Sequence, residues 1–246
     1  MEDVAIWQLT VLFVVAAIGM SMSGAAGFGG GVIILPVLVW IYGPEVAVPV
    51  VALFQLIGTA TRFWLARDSI DWKVVAWFAA GSTPFAILGS FIFIATDTDL
   101  LIRIMGGGMI ALVTLMQLPW TKRVRMALWG FLPLGGASGF LASVIGIPGP
   151  FQPVFYLAYG LSPRAYMASF SLSMCMIQVP KLAVYGAGGE LITPLVVGLG
   201  LSLGVVAAGG AYFGARLLRR IPEKWFAISV NVIVFAFGVL FLVAGG

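Results

Sequence analysis

The fold of this chain is decided by two short glycine- and proline-rich runs that interrupt very apolar sequence. Residues 27–31 read Gly27-Phe28-Gly29-Gly30-Gly31, and residues 146–150 read Gly146-Ile147-Pro148-Gly149-Pro150. Each run follows a long apolar segment and leads into a short one, 29–43 in the first case and 148–160 in the second. At about 1.5 Å per residue these short segments reach roughly 22 and 20 Å, less than the roughly 30 Å core of a bilayer. The sequence therefore predicts two broken helical hairpins inside a membrane.

The composition around these runs indicates that lipid is the solvent for most of the chain. Apolar residues make up 61% of the 246 residues and charged residues 9%, whereas a soluble domain carries about 25% charged residues. There is too little polar side chain to cover a soluble globule, so a soluble fold is excluded. Histidine is absent and Cys175 is the only cysteine, which excludes Ser-His or Cys-His catalytic pairs and internal disulfides. We expect no cofactor and no metal site. We also expect no nucleic-acid partner, since the net charge is only +4.

The apolar sequence divides into ten segments, of which seven or eight are long enough to cross a bilayer. The segments are 4–24, 29–43, 46–66, 72–95, 100–118, 126–145, 148–160, 165–185, 191–214 and 225–244. We predict an all-α, polytopic integral membrane protein. The start, Met1-Glu2-Asp3, is acidic where a signal peptide is basic, so we expect the first segment to belong to the mature protein.

The charged residues predict how the chain is oriented. Lys and Arg gather in cytoplasmic loops, and here they form three clusters: Arg62, Arg67 and Lys73; Lys122, Arg123 and Arg125; and Arg216, Arg219, Arg220 and Lys224. If these clusters lie inside, the segments alternate in direction and both termini lie outside. The acidic residues Glu45, Asp97, Asp99 and Glu190 fall in turns between the segments. We therefore predict a multi-pass membrane protein with this orientation.

The order of segments occurs twice, which predicts two inverted repeats within one membrane domain. Each half, 1–120 and 121–246, has a long helix, a Gly/Pro break, a short helix and three further spanning helices. Segment 46–66 runs inward, whereas its counterpart 165–185 runs outward. Paired Gly/Pro-interrupted segments in inverted halves indicate a transporter with a binding site near the midplane.

Each half also carries a polar stripe on one helix face. Gln55, Thr59 and Arg62 lie at i, i+4 and i+7, and Ser171, Gln178 and Lys181 lie at i, i+7 and i+10. Amide and hydroxyl donors with a nearby cation suit a small oxyanion. For Arg62 and Lys181 the alternative is snorkelling to the membrane surface.

The predicted substrate site combines the breaks and the stripes. Helix N-termini at the breaks suit anions, although a plain turn or a close-packing glycine face is the alternative. The candidate binding residues are Gly27, Phe28, Gly29 and Gly30 of the first break, Gly146 and Pro148 of the second, Gln152 just after it, and the six stripe residues Gln55, Thr59, Arg62, Ser171, Gln178 and Lys181.

Three stretches resemble landmarks of the TauE/SafE sulfite-exporter family of membrane transporters. They are residues 23–31 leading into Leu35-Pro36, the tripeptide Ile70-Asp71-Trp72, and residues 146–149 before Gln152-Pro153. The resemblance extends over essentially the whole chain, although residues 145–150 are richer in proline than the family's usual glycine-rich form. It implies a bacterial inner-membrane transporter of small anions, with sulfite, sulfoacetate and other organosulfur compounds as substrates.

These observations predict a secondary carrier that exports sulfite or an organosulfur anion of the sulfonate or sulfoacetate type. An interior-negative potential favours the exit of a monovalent anion by roughly 2.3 kcal/mol per 100 mV. The alternatives are a small-anion channel and an importer of another organosulfur compound. An intramembrane Ser-Lys enzyme is disfavoured, since Ser171 and Lys181 are about 15 Å apart along a helix. The expected partners are the small anion and the lipid bilayer. The sequence does not decide whether the chain forms a homo-oligomer.

Overall fold

The computed structural model describes residues 10–17, 30–117, 125–147, 151–188, 191–217 and 223–244. Its regular secondary structure is helical throughout these residues. A helical stretch over 10–17, here α1, is followed by α2 (Gly31–Tyr42), α3 (Pro44–Ala66), α4 (Trp72–Ala95), α5 (Thr98–Gln117), α6 (Phe131–Val144), α7 (Gln152–Ala158), α8 (Pro163–Gly188), α9 (Pro194–Leu217) and α10 (Glu223–Ala244). Each of the ten predicted apolar segments corresponds to one helix, which confirms the all-helical prediction.

Within the described residues, five helices are long and apolar enough to cross a membrane. They are Pro44–Ser69, Trp72–Ala95, Thr98–Leu115, Pro163–Gly188 and Pro194–Tyr212. Large apolar side chains point outward from them, including Leu88, Phe91 and Val205. In water such a surface would be unstable, whereas lipid tails solvate it. These features agree with a polytopic membrane protein.

The differences from the predicted segments are concentrated around the second break. Helix α6 begins at Phe131 because Leu128–Gly130 form a separate 3₁₀ turn. Helix α7 has seven residues, about 10 Å, and is shorter than predicted. Helix α8 extends to Gly188.

Helix ends follow ordinary capping chemistry. Gly43 has φ 77°, a conformation that glycine adopts without strain, and it lets Pro44 begin α3 directly after α2. The Asp71 carboxylate accepts hydrogen bonds from the backbone N–H groups of Lys73 and Val74 at 3.0 and 3.1 Å. Asp71 is therefore the N-cap of α4, and the Ile70-Asp71-Trp72 tripeptide marks the start of this helix.

Helices α4 and α6 approach each other until their backbones touch. A Cβ atom on Gly81 would overlap the carbonyl oxygen of Leu132, and one on Gly135 would overlap that of Phe78. Such small-residue contacts let membrane helices pack closely without a hydrophobic driving force. Glycines of α9 contribute in the same way, since Gly200 packs against the side chain of Leu53.

The central contact of the structure is between α3 and α8, which cross antiparallel: Gln55 contacts Gln178, and Thr59, one turn later, contacts Cys175, one turn earlier. Around them, α3 packs on α9 and α8 packs on α4, while α5 packs on α10. If each helix is replaced by the one five positions later or earlier in the chain, the contact of α3 with α9 becomes the contact of α8 with α4 and the reverse. The contact of α5 with α10 becomes itself. Two related halves would produce this pattern, and the inverted repeat with halves 1–120 and 121–246 stays a prediction.

Candidate functional site

The two predicted polar stripes are buried, and they meet where α3 and α8 cross. Six side chains are at most 4% exposed: Gln55, Thr59 and Arg62 on α3, and Ser171, Gln178 and Lys181 on α8. Burying a polar group in an apolar surrounding costs free energy unless it finds a hydrogen-bond partner. The partners of these side chains therefore indicate what the crossing can do.

The amide pair, Gln55 and Gln178, joins the two stripes. The Nε2 of Gln178 donates to the Oε1 of Gln55 at 2.6 Å, across 123 positions of sequence. The Nε2 of Gln55 and the Oε1 of Gln178 are also buried, and neither has a hydrogen-bond partner among the described residues. An unsatisfied buried polar group costs about 1–3 kcal/mol. The amide pair thus keeps one amide nitrogen and one carbonyl oxygen available to a ligand.

Gly31 brings the first break to this pair. It is the first residue of α2, and a Cβ atom there would overlap the Nε2 of Gln55 and lie 3.0 Å from Val51 Cγ1. The helical hydrogen bonds begin with the N–H groups of Ile33 and Ile34, both 3.2 Å from the Gly30 carbonyl oxygen. First-turn N–H groups and the helix dipole make this end of α2 positive. The free amide nitrogen of Gln55 therefore lies at a helix terminus that suits an anion.

Thr59 is buried beside the amide pair, but its proton is already used. Its hydroxyl donates to the backbone carbonyl oxygen of Gln55 at 2.7 Å, and Cys175 Sγ lies 3.4 Å away. Threonines on helices commonly bond back to the carbonyl four residues earlier. In this conformation the Thr59 hydroxyl proton is bound by its own helix, and the predicted role of Thr59 as a donor toward the anion stays a prediction.

Lys181 finds its partner on another helix. Its Nζ donates to the carbonyl oxygen of Ala142 at 2.7 Å, and the hydroxyl of Tyr185 donates to that of Ser143 at 2.8 Å. Both carbonyls belong to the last turn of α6, the negative end of that helix. Lys181 is fully buried, which excludes snorkelling in this conformation. Tyr185, one turn after Lys181, was missed in the sequence analysis although the i+4 spacing places it on the same face.

Arg62 occupies the corresponding position on α3. It follows Pro44, the first residue of its helix, by the same 18 residues that separate Lys181 from Pro163. Arg62 is close enough to Tyr166 and Cys175 for electrostatic interaction. Because α3 and α8 are antiparallel, Arg62 and Lys181 lie on opposite sides of the amide pair.

The second break packs against the first hairpin. Gly146 has φ 83°, and a Cβ there would lie 2.7 Å from Leu35 Cδ2 and 3.3 Å from Val48 Cγ2. Gln152 is fully buried at the start of α7. Ser171 is buried on α8, about 10 Å along the helix from Gln178. Gly27, Phe28, Gly29 and Pro148 lie outside the described residues, so their predicted roles stay predictions.

Comparison with known proteins identifies the family. A family model described as "Sulfite exporter TauE/SafE" matches residues 11–241. Searches of curated proteins and of solved structures gave no match. The family match covers nearly all of a chain whose described residues form apolar helices, five of them long enough to span a membrane. We conclude that the chain belongs to the TauE/SafE sulfite exporter family of membrane transporters.

Proposed function

We propose that this protein is a secondary transporter that exports sulfite or a small organosulfur anion across the cytoplasmic membrane. Family membership supports the class of transporter. The observation that carries the proposal is the buried amide pair beside the N-terminus of α2, with the Gln55 Nε2 held against Gly31 and left without a partner among the described residues.

The anion binds, in this proposal, beside the contact that Gln55 makes with the start of α2. A sulfur oxyanion accepts hydrogen bonds from the Nε2 of Gln55 and from first-turn N–H groups of α2. Gly31 lets the Gln55 amide lie this close to the helix N-terminus because it has no side chain to fill the space. The other predicted residues of the first break, Gly27 to Gly30, stay candidates for binding the same anion.

Movement across the membrane requires that this site open to each side in turn. The site lies between helices of the two halves, as in transporters whose repeats rock against one another. Arg62 and Lys181 flank it on opposite sides, so an anion approaching or leaving passes one cation on each path. Lys181 is held by the end of α6, and an exiting anion competes with that carbonyl for the ammonium group.

The membrane potential is a sufficient driving force for export. The buried polar side chains in the described part of the chain are amides, hydroxyls and two cations. Such a set binds an anion without a proton relay, and an interior-negative potential favours its exit by roughly 2.3 kcal/mol per 100 mV. A monovalent anion can thus leave by uniport.

Flux measurements on the purified protein in liposomes test the proposal. We expect saturable efflux of sulfite or a sulfonate that accelerates when an interior-negative potential is imposed. The substrate panel includes sulfite, simple sulfonates and thiosulfate, with empty liposomes as control. Non-saturating ionic conductance would instead identify a channel, and flux equal to that of empty liposomes for every anion would refute the proposal.

A further inference from the structure

Resting on the proposed function, we infer that the site at the amide pair selects a monoanion that carries its own hydrogen-bond donor. Hydrogensulfite, with one O–H group, is such an anion. A sulfonate or a sulfite dianion, which presents only acceptor oxygens at its anionic centre, is the disfavoured class.

The amide pair holds more hydrogen-bonding atoms than its one internal hydrogen bond uses. Two glutamine side chains hold two carbonyl oxygens and two amide nitrogens. The hydrogen bond between Gln178 and Gln55 engages one of each, and it leaves one carbonyl oxygen and one amide nitrogen without a partner among the described residues. Exchanging oxygen and nitrogen in both amides gives the same balance, so the result does not depend on how the amides are assigned.

The free carbonyl oxygen discriminates between ligands. Gln178 is 1% exposed, so water does not solvate its Oε1 when the site is closed. A ligand with an O–H or N–H group donates to this oxygen. A ligand with acceptors alone leaves it unsatisfied and places a second oxygen against it, which weakens binding by about tenfold.

Neighbouring donors do not compensate for the missing proton. The Thr59 hydroxyl donates to the backbone carbonyl oxygen of Gln55, and the Lys181 ammonium group donates to that of Ala142. These two stripe donors are therefore engaged within the protein. We infer that the ligand itself supplies the hydrogen bond to Gln178.

Sulfamate and methanesulfonate form a matched pair of probes. Both are monoanions with an SO₃ group and nearly equal size, but sulfamate carries an NH₂ group where methanesulfonate carries a methyl group. The test measures how strongly each inhibits sulfite efflux from liposomes containing the full chain. We expect sulfamate to inhibit at about tenfold lower concentration. Equal potency, or stronger inhibition by methanesulfonate, would overturn the inference while sulfite efflux itself leaves the proposed function intact.

Variants of the amide pair show whether this preference originates there. Gln55→Met and Gln178→Met each leave one complete amide, so each single variant retains a preference for sulfamate. The double variant has neither side-chain carbonyl, so the ratio of the inhibitory concentrations of methanesulfonate and sulfamate falls to about one. Gln117→Met, at an exposed position on α5, is the matched control and keeps the parental ratio.

Each outcome decides between the two proposals. A double variant that still prefers sulfamate as strongly as the parent contradicts the inference. If the double variant does not fold, the comparison of the two probes on the parent protein decides alone. Efflux of a sulfonate without any efflux of sulfite overturns the inference and leaves the proposed function intact, whereas absence of efflux for every anion overturns both.

Discussion

Replacing Gly31 with alanine tests the contact that links the first break to the amide pair. The new Cβ would overlap the Nε2 of Gln55 and lie 2.8 Å from its Cδ. These atoms are the far end of a flexible side chain, so the amide moves aside while the backbone of α2 stays in place. We expect Gly31→Ala to insert and fold, but to lose the hydrogen bond between Gln55 and Gln178 and so to bind the anion more weakly.

The size of the effect follows from that hydrogen bond. A neutral intramolecular hydrogen bond contributes about 0.5–1.5 kcal/mol, so binding should weaken by about 2- to 12-fold. The higher helix propensity of alanine stabilises the helix by up to about 1 kcal/mol, so loss of fold is not the expected cause. The assay is the concentration dependence of sulfite efflux from liposomes, with thermal unfolding in detergent measured on the same preparation.

Gly107→Ala is the matched control, because a Cβ on this helical glycine has no neighbour within 4 Å. It should leave both efflux and stability near parental values. A double-mutant cycle adds Gln55→Ala alone and together with Gly31→Ala. If the alanine acts through Gln55, the double variant is no worse than Gln55→Ala. Parental efflux by Gly31→Ala, or strictly additive effects in the cycle, would refute the reasoning.

Three further predictions concern Lys181, the contact between α4 and α6, and the orientation of the chain in the membrane. Lys181→Met should insert and lose most sulfite efflux, with part retained in Lys181→Arg because the charge survives; full efflux by the methionine variant would remove Lys181 from the transport path. Gly135→Val should lower the midpoint of thermal unfolding or prevent folding, since its side chain would meet the backbone of α4, and an unchanged midpoint would contradict the close packing. In a cysteine-free background, Asp97→Cys should react with an impermeant maleimide in intact cells and Lys122→Cys only after lysis; the opposite labelling would reverse the predicted orientation.

Much of this fold could be read from local sequence properties. Segment length and apolar content predict where helices form, because a membrane-spanning helix satisfies its own backbone hydrogen bonds. The breaks predicted at 27–31 and 146–150 rest on the conformational properties of glycine and proline. The stripe containing Gln55 and the stripe containing Gln178 follow from helical periodicity. Each of these features depends on residues within a few turns of one another.

The tertiary structure alone decided which buried groups meet. The bond between Gln55 and Gln178 and the contact of Gln55 with Gly31 depend on how three helices are rotated and where they cross. Lys181 donates to the backbone carbonyl oxygen of Ala142 on α6, a partner that its own helix does not indicate, and its contact with an anion stays a prediction. Helix rotation and crossing are set by side-chain packing over whole interfaces, such as the glycine contacts of α4 with α6. No local pattern contains that information, because the contacts that fix it join residues distant in the chain.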